Sequence, residues 1–147
     1  EVARDEASLR DLTRSWFERS TAFSVLQEAA AGGFRVVLTT DHGSIHCMHP
    51  TTVFARKDAT QNLRYKFGGD LKAEDPTTVM STSDARDLRL PPGRLGMNYV
   101  LALEDYFMVY PTKLREYQAR YRGSFLHGGI SPEEMVVPVA RLTPRPR

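Results

Sequence analysis

Cysteine is nearly absent from this sequence: Cys47 stands alone, which excludes an internal disulfide framework and suits a reducing, cytoplasmic compartment. Long apolar runs are missing too. The longest, Val36-Val37-Leu38 and Met135-Val136-Val137, are far too short to span a bilayer, so no membrane partner is expected. Nor is there an excess of one charge. Twenty basic and eighteen acidic side chains leave a formal charge of +2, too little to argue for nucleic acid by bulk charge. The opening residues, Glu1-Val2-Ala3-Arg4-Asp5, have no signal-peptide pattern, and a start at Glu rather than Met suggests a piece of something longer. What remains is an ordinary globular composition, 41% hydrophobic and 26% charged over 147 residues. That length predicts a single domain over 1–147 with one core.

Periodicity predicts helix over residues 1–31. Leu9, Leu12 and Trp16 recur at three and four, and Ser20 is placed to cap a second helix over 21–31 that Gly32-Gly33 would stop. Phe34-Arg35-Val36-Val37-Leu38-Thr39 then reads as a buried strand, and helix, glycine turn and strand together point to an α/β sheet. Short strands are expected at 53–55 and 63–66, on either side of a polar loop over 56–61. Residues 68–97, punctuated by Gly68-Gly69, Pro76, Pro91-Pro92, Gly93 and Gly96, read mostly as loop, with a helical turn near 83–87. Strands over 99–103 and 106–110 are predicted to form a hairpin across Glu104-Asp105. A short helix over 112–121 follows. Ser131-Pro132-Glu133-Glu134 has the marks of a helix start, residues 135–142 read as a last strand, and 144–147 as a frayed tail.

Two short clusters could carry chemistry. Thr39-Thr40-Asp41-His42-Gly43 puts a carboxylate and an imidazole at the end of an apolar strand, where ligand sites of open α/β sheets lie. Both side chains are good ligands for zinc or a similar divalent ion, yet spacing alone favours a strand end whose Asp caps the next turn beside a partly exposed His. His127-Gly128-Gly129-Ile130-Ser131 allows close backbone approach but in isolation is also a plain glycine loop before a helix. His46 and His49 follow His42 at four and seven, but Pro50 argues against a helix there, so both read as loop histidines. Within Asn62-Leu63-Arg64-Tyr65-Lys66, Arg64 and Lys66 share one strand face and could hold phosphate, or simply form a solvated face. Tyr106, Tyr110, Tyr117 and Tyr121 read as half-buried packing rather than as a stacking platform for bases.

Taken together, residues 36–43, 62–66 and 125–138 resemble the C-terminal half of a PglZ domain, and Thr13-Arg14-Ser15-Trp16-Phe17 also fits. The run Phe125-Leu126-His127-Gly128-Gly129-Ile130-Ser131-Pro132-Glu133-Glu134-Met135 is the most specific part and is similar to the effector domains of PorX-type response regulators, which are linked to type IX secretion. Asp41-His42-Gly43 is shared more widely. The resemblance implies the alkaline phosphatase superfamily. The expected fold is therefore part of an α/β sheet flanked by helices, with an irregular β-rich insertion in the middle, and the expected chemistry is phosphate-ester hydrolysis with two zinc ions in the complete domain. By position, Asp41 and His42 match the adjacent pair that binds the metal beside the nucleophile, and His127 matches the late histidine on the other metal. Arg64 and Lys66 match no superfamily ligand. Thr39 and Thr40 do not match the nucleophile, which the resemblance places upstream of residue 1, so the chain alone should be inactive. Implied partners are a phosphate ester, with a nucleotide among the candidates, the upstream half of the same domain, a secretion-system component and an oligomeric copy. The competing reading is a regulatory or protein-interaction module on a PglZ-like fold. A third is nucleic-acid binding through Arg64, Lys66 and a basic C-terminal helix, which steep salt dependence would support.

Overall fold

The computed structural model describes residue 3 and residues 5–56, 59–91 and 96–145. Residues 57–58 of the expected polar loop, 92–95 of the glycine-proline loop and 146–147 of the tail lie outside them, as do residues 1, 2 and 4. The chain divides into two compact units, residues 1–42 with 136–147 and residues 43–135. No helix of the described residues is long and apolar enough to cross a membrane.

The first unit follows its local signals closely. Helix α1 covers Glu6–Glu18, capped by Asp5, whose carboxylate accepts from the Ser8 amide at 2.8 Å. Helix α2 covers Thr21–Ala31, and the Ser20 hydroxyl accepts from the Phe23 amide at its start. Gly32 closes it, its amide reaching the Glu28 carbonyl at 2.9 Å. The two helices meet through Phe17 and Phe23, edge to face at 5.7 Å. Strand β1, Val36–Thr39, pairs antiparallel with the last strand, β10, Val139–Leu142. Here the expected burial fails: Val37 is 64% and Val139 71% exposed. A two-stranded ribbon has no second layer of its own, so apolar strand composition does not by itself produce a core strand.

The second unit holds the core. Strand β3, His49–Phe54, lies between β5, Lys72–Ala73, and β8, Tyr106–Val109, with the β3–β8 pair parallel. A second three-stranded sheet places β7, Met97–Ala102, between β4, Tyr65–Gly69, and β6, Val79–Thr82. A short ribbon joins β2, Ile45–Cys47, to β9, Ser124–Leu126. Helix α3 covers Leu114–Tyr121, and α4 is the single turn Pro132–Met135. Alternation along β8 decides what each side chain buries. Met108 joins Val53, Val79 and Val100 in one cluster, while Phe107 and Val109 face Cys47, Leu114 and Tyr117 in another.

The mixed α/β composition and the β-rich middle agree with the sequence, but the described strands form four small sheets rather than one flanked sheet. The predicted hairpin over 99–110 is also corrected. Both strands exist, yet both edges of β7 are taken by β4 and β6, and β8 turns away to pair with β3. Residues 68–97 contain β5, a 3-10 turn at Pro76–Thr78 and β6 as well as loop.

Candidate functional site

Asp41 and His42 stand just beyond β1. Thr39 anchors the strand end by donating to the Pro138 carbonyl at 2.8 Å, and the Thr40 hydroxyl donates to the His42 carbonyl at 2.8 Å. The His42 amide donates to Asp41 Oδ1 at 3.1 Å. These contacts fold the pair into a tight turn with imidazole Nε2 3.9 Å from Asp41 Oδ2. The backbone amide of Asp41 itself, then the neighbouring His42, hold the Asp41 carboxyl below the usual range, so it is ionised at neutral pH. The Asp41 side chain is 87% exposed and that of His42 45%. A carboxylate oxygen and an imidazole nitrogen side by side on an open turn are donors of the kind zinc takes.

Gly43 opens the second unit, and the structure shows why it is glycine. A Cβ there would lie 1.9 Å from the Glu133 carbonyl oxygen, and the Gly43 amide donates to the Glu134 carbonyl at 3.0 Å. Close approach to the turn of α4, not left-handed backbone, is what this position demands. Gly128 does need the left-handed region, with φ at +104°. Gly129 packs directly on an ion pair, where a Cβ would come within 2.6 Å of Arg64 Nη2 and 2.7 Å of Glu134 Oε2. The two glycines that follow His127 thus wrap its loop around a buried charge pair. His127 itself is exposed.

That pair is Arg64 with Glu134. Arg64 Nε donates to Oε1 at 2.9 Å and Nη2 to Oε2 at 2.6 Å, a bidentate fork with both side chains almost wholly buried. The amides of Gly129 and Ser131 supply two more donors to the carboxylate, at 2.8 and 3.1 Å. Arg64 Nη1 turns to the carbonyls of Tyr106 and Leu103. Burial alone would push the Glu134 carboxyl up, but hydrogen bonds from Arg64 and Gly129 and the guanidinium charge pull it below its ordinary value.

A family model described as the BREX system PglZ alkaline phosphatase-like domain matches residues 3–142. The chain belongs to the PglZ family. No curated protein matches it significantly. The match spans Asp41-His42-Gly43 and the whole His127-Gly128-Gly129 loop, and it is consistent with a phosphoesterase-type fold.

Within this PglZ chain, Arg64 and Lys66, read as candidates for holding phosphate, lie in the interior. Neither is on a solvated face; both are fully buried. Arg64 has its donors committed to Glu134 and backbone carbonyls. Lys66 Nζ donates to the Thr60 and Asn62 carbonyls at 3.3 and 3.1 Å and lies 3.1 Å from the Tyr110 hydroxyl. Burial lowers its pKa to about 8. His46 and His49, read as loop residues, are on β2 and β3. His46 Nε2 meets the Gly123 carbonyl at 3.0 Å and its ring stacks on Phe125, while His49 Nδ1 lies 2.9 Å from both carboxylate oxygens of Asp105. Cys47 is buried and its thiol is pushed up to about 11 by burial, so it is an inert core side chain.

Glu134 is the residue that sequence reasoning missed. Its signal was present, because Ser131-Pro132-Glu133-Glu134 has a helix-start pattern, but its destination 70 positions away was not written in that pattern. As for metal, Asp41 and His42, adjacent in the first unit, and His127 in the second carry donor atoms of the kind zinc takes. Among the described residues no three His, Cys, Asp or Glu side chains form a group that could hold an ion.

Proposed function

We propose that this chain is the metal-ligating C-terminal portion of a phosphoric-ester hydrolase domain, with Asp41 and His42 on one zinc ion and His127 on a second. The observation that carries the reading is the family match over residues 3–142, combined with the ionised Asp41 carboxylate beside the partly exposed His42 imidazole. When bound, zinc draws charge from a phosphoryl oxygen and stabilises what develops there. The chain's own residues do the positioning. Thr39, Thr40 and the β1–β10 ladder hold the Asp41-His42 turn, and the Arg64–Glu134 pair, through Gly129, holds the loop that bears His127. A Thr or Ser nucleophile would come from the segment of the domain that precedes residue 1, so the 147 residues alone are expected neither to turn over phosphodiesters nor to bind zinc as tightly as the complete domain. The run from Phe125 to Met135 supports a finer assignment: a cytoplasmic response-regulator effector linked to type IX secretion, acting on a phosphate ester such as a nucleotide.

The test is hydrolysis of bis-(nitrophenyl) phosphate by the domain with its upstream segment, before and after chelation. Turnover lost with the metal and restored by zinc supports the reading, and equal turnover by the 147 residues alone overturns the division of labour. A second reading, a protein-interaction module on the same fold, is favoured by the exposed apolar side chains of Val37, Val136 and Val139. A complete domain with no metal-dependent turnover would favour it.

A further inference from the structure

Next to Tyr110 lies a cavity of about 640 Å³, within the roughly 300–1,000 Å³ of ordinary small-molecule sites. It belongs wholly to the second unit and contains none of Asp41, His42 or His127. Its apolar walls are Phe54, Tyr110, Pro111 and Tyr117. Phe54 ends β3 with nearly half of its surface open, an unusual fate for a strand phenylalanine. Tyr110 and Tyr117 meet edge to face with centroids 6.3 Å apart, so the wall offers π faces in two orientations.

Among the described residues that line it, the charged ones are Arg56 and Lys113, both cations. Each cation has an acidic neighbour outside the cavity, Asp70 for Arg56 and, at 3.7 Å, Glu116 for Lys113. All four side chains are more than half exposed, so these pairs are screened by water and readily exchanged for a stronger anion. Behind the wall, Lys66 Nζ sits 4.4 Å from the Tyr110 ring centroid and adds a third positive charge beneath the surface. A guanidinium fork and an ammonium suit a phosphate, and the aromatic wall suits a flat heterocycle.

We propose that this cavity binds a nucleoside monophosphate, with the base against Tyr110, Tyr117 and Phe54 and the phosphate between Arg56 and Lys113. The proposal does not depend on hydrolysis at the metal-ligating residues. Titration of the 147-residue chain with adenosine monophosphate, adenosine and inorganic phosphate, followed by calorimetry and amide chemical shifts, tests it. Adenosine monophosphate should bind at least about tenfold more tightly than either part alone, with shifts confined to residues around Phe54, Tyr110 and Tyr117. Arg56→Ala and Lys113→Ala, both at exposed positions that leave folding intact, should each weaken binding about tenfold. Asp70→Asn, which releases Arg56, should tighten it. Tyr117→Phe should bind as the parent does and Tyr117→Ala more weakly. Adenosine or phosphate binding as tightly as the nucleotide, unchanged affinity in the Arg56 and Lys113 variants, or no saturable signal up to about 1 mM would each overturn the proposal.

Discussion

Arg64 shows how much a single residue's meaning depends on what packs against it. In sequence it alternates with Lys66 around Tyr65 like a cationic strand face, and only the fold reveals that Glu134 neutralises it from a distant turn. Removing one partner strands a buried charge, so Arg64→Ala or Glu134→Gln should each cost about 3–5 kcal/mol in urea denaturation. Replacing both, as Arg64→Met with Glu134→Leu, should recover most of that loss. The depressed Glu134 pKa also sets a direction with pH. Its contribution is in place above the unfolded value of 4.5 and is lost as pH falls through the lower folded value. Lys66 works in the opposite range. Between its folded pKa of about 8 and its unfolded value of 10.5, the unfolded chain binds more protons, so this residue makes stability rise with pH. Cys47, raised from 9.0 to about 11, makes stability fall with pH over its own interval. Comparing denaturation midpoints of the parent and Lys66→Met between pH 8 and pH 10.5 isolates the lysine: the parent should gain relative to the variant as pH rises.

At the scale of elements, local chemistry was a good guide wherever the element is local. Helix α2 has the predicted bounds because Ser20 and Gly32 supply both ends, and the helical turn expected near residue 85 is present. Strand pairing was not legible, since it is decided by partners far along the chain. Nothing in residues 99–110 announces that β7 will be hydrogen-bonded on both edges while β8 runs parallel to β3. β6 was hidden for a related reason: Pro76 and the surrounding glycines mark turns correctly, but a four-residue strand fits between them. Val100, wholly buried in the central strand β7, should be sensitive. Val100→Ala is expected to cost about 2 kcal/mol, measured by chemical denaturation. Gly43→Ala should be worse than its small size suggests, because the added methyl meets the Glu133 carbonyl rather than a flexible side chain. A lowered melting temperature in that variant, without any change to Asp41 or His42, is the expected result.

For the molecule as a whole, the candidate site was legible as residue types and not as an assembly. Asp41, His42 and His127 stand out as candidates because they adjoin glycine turns, and the family match spans all three positions. The ligand set that would complete two ions was not legible, because metal geometry depends on chain segments brought together by folding. The measurement that bears most directly on this account is metal-dependent phosphodiester hydrolysis by the complete domain carrying His42→Ala or His127→Ala. Loss of even a supporting contact to a metal ligand typically costs about 10–100-fold, so removal of a ligand itself should lower zinc-dependent turnover by more than about 100-fold, with the far-UV circular dichroism of each variant unchanged. Undiminished, chelator-sensitive turnover in both variants would contradict the claim that these histidines hold the metals.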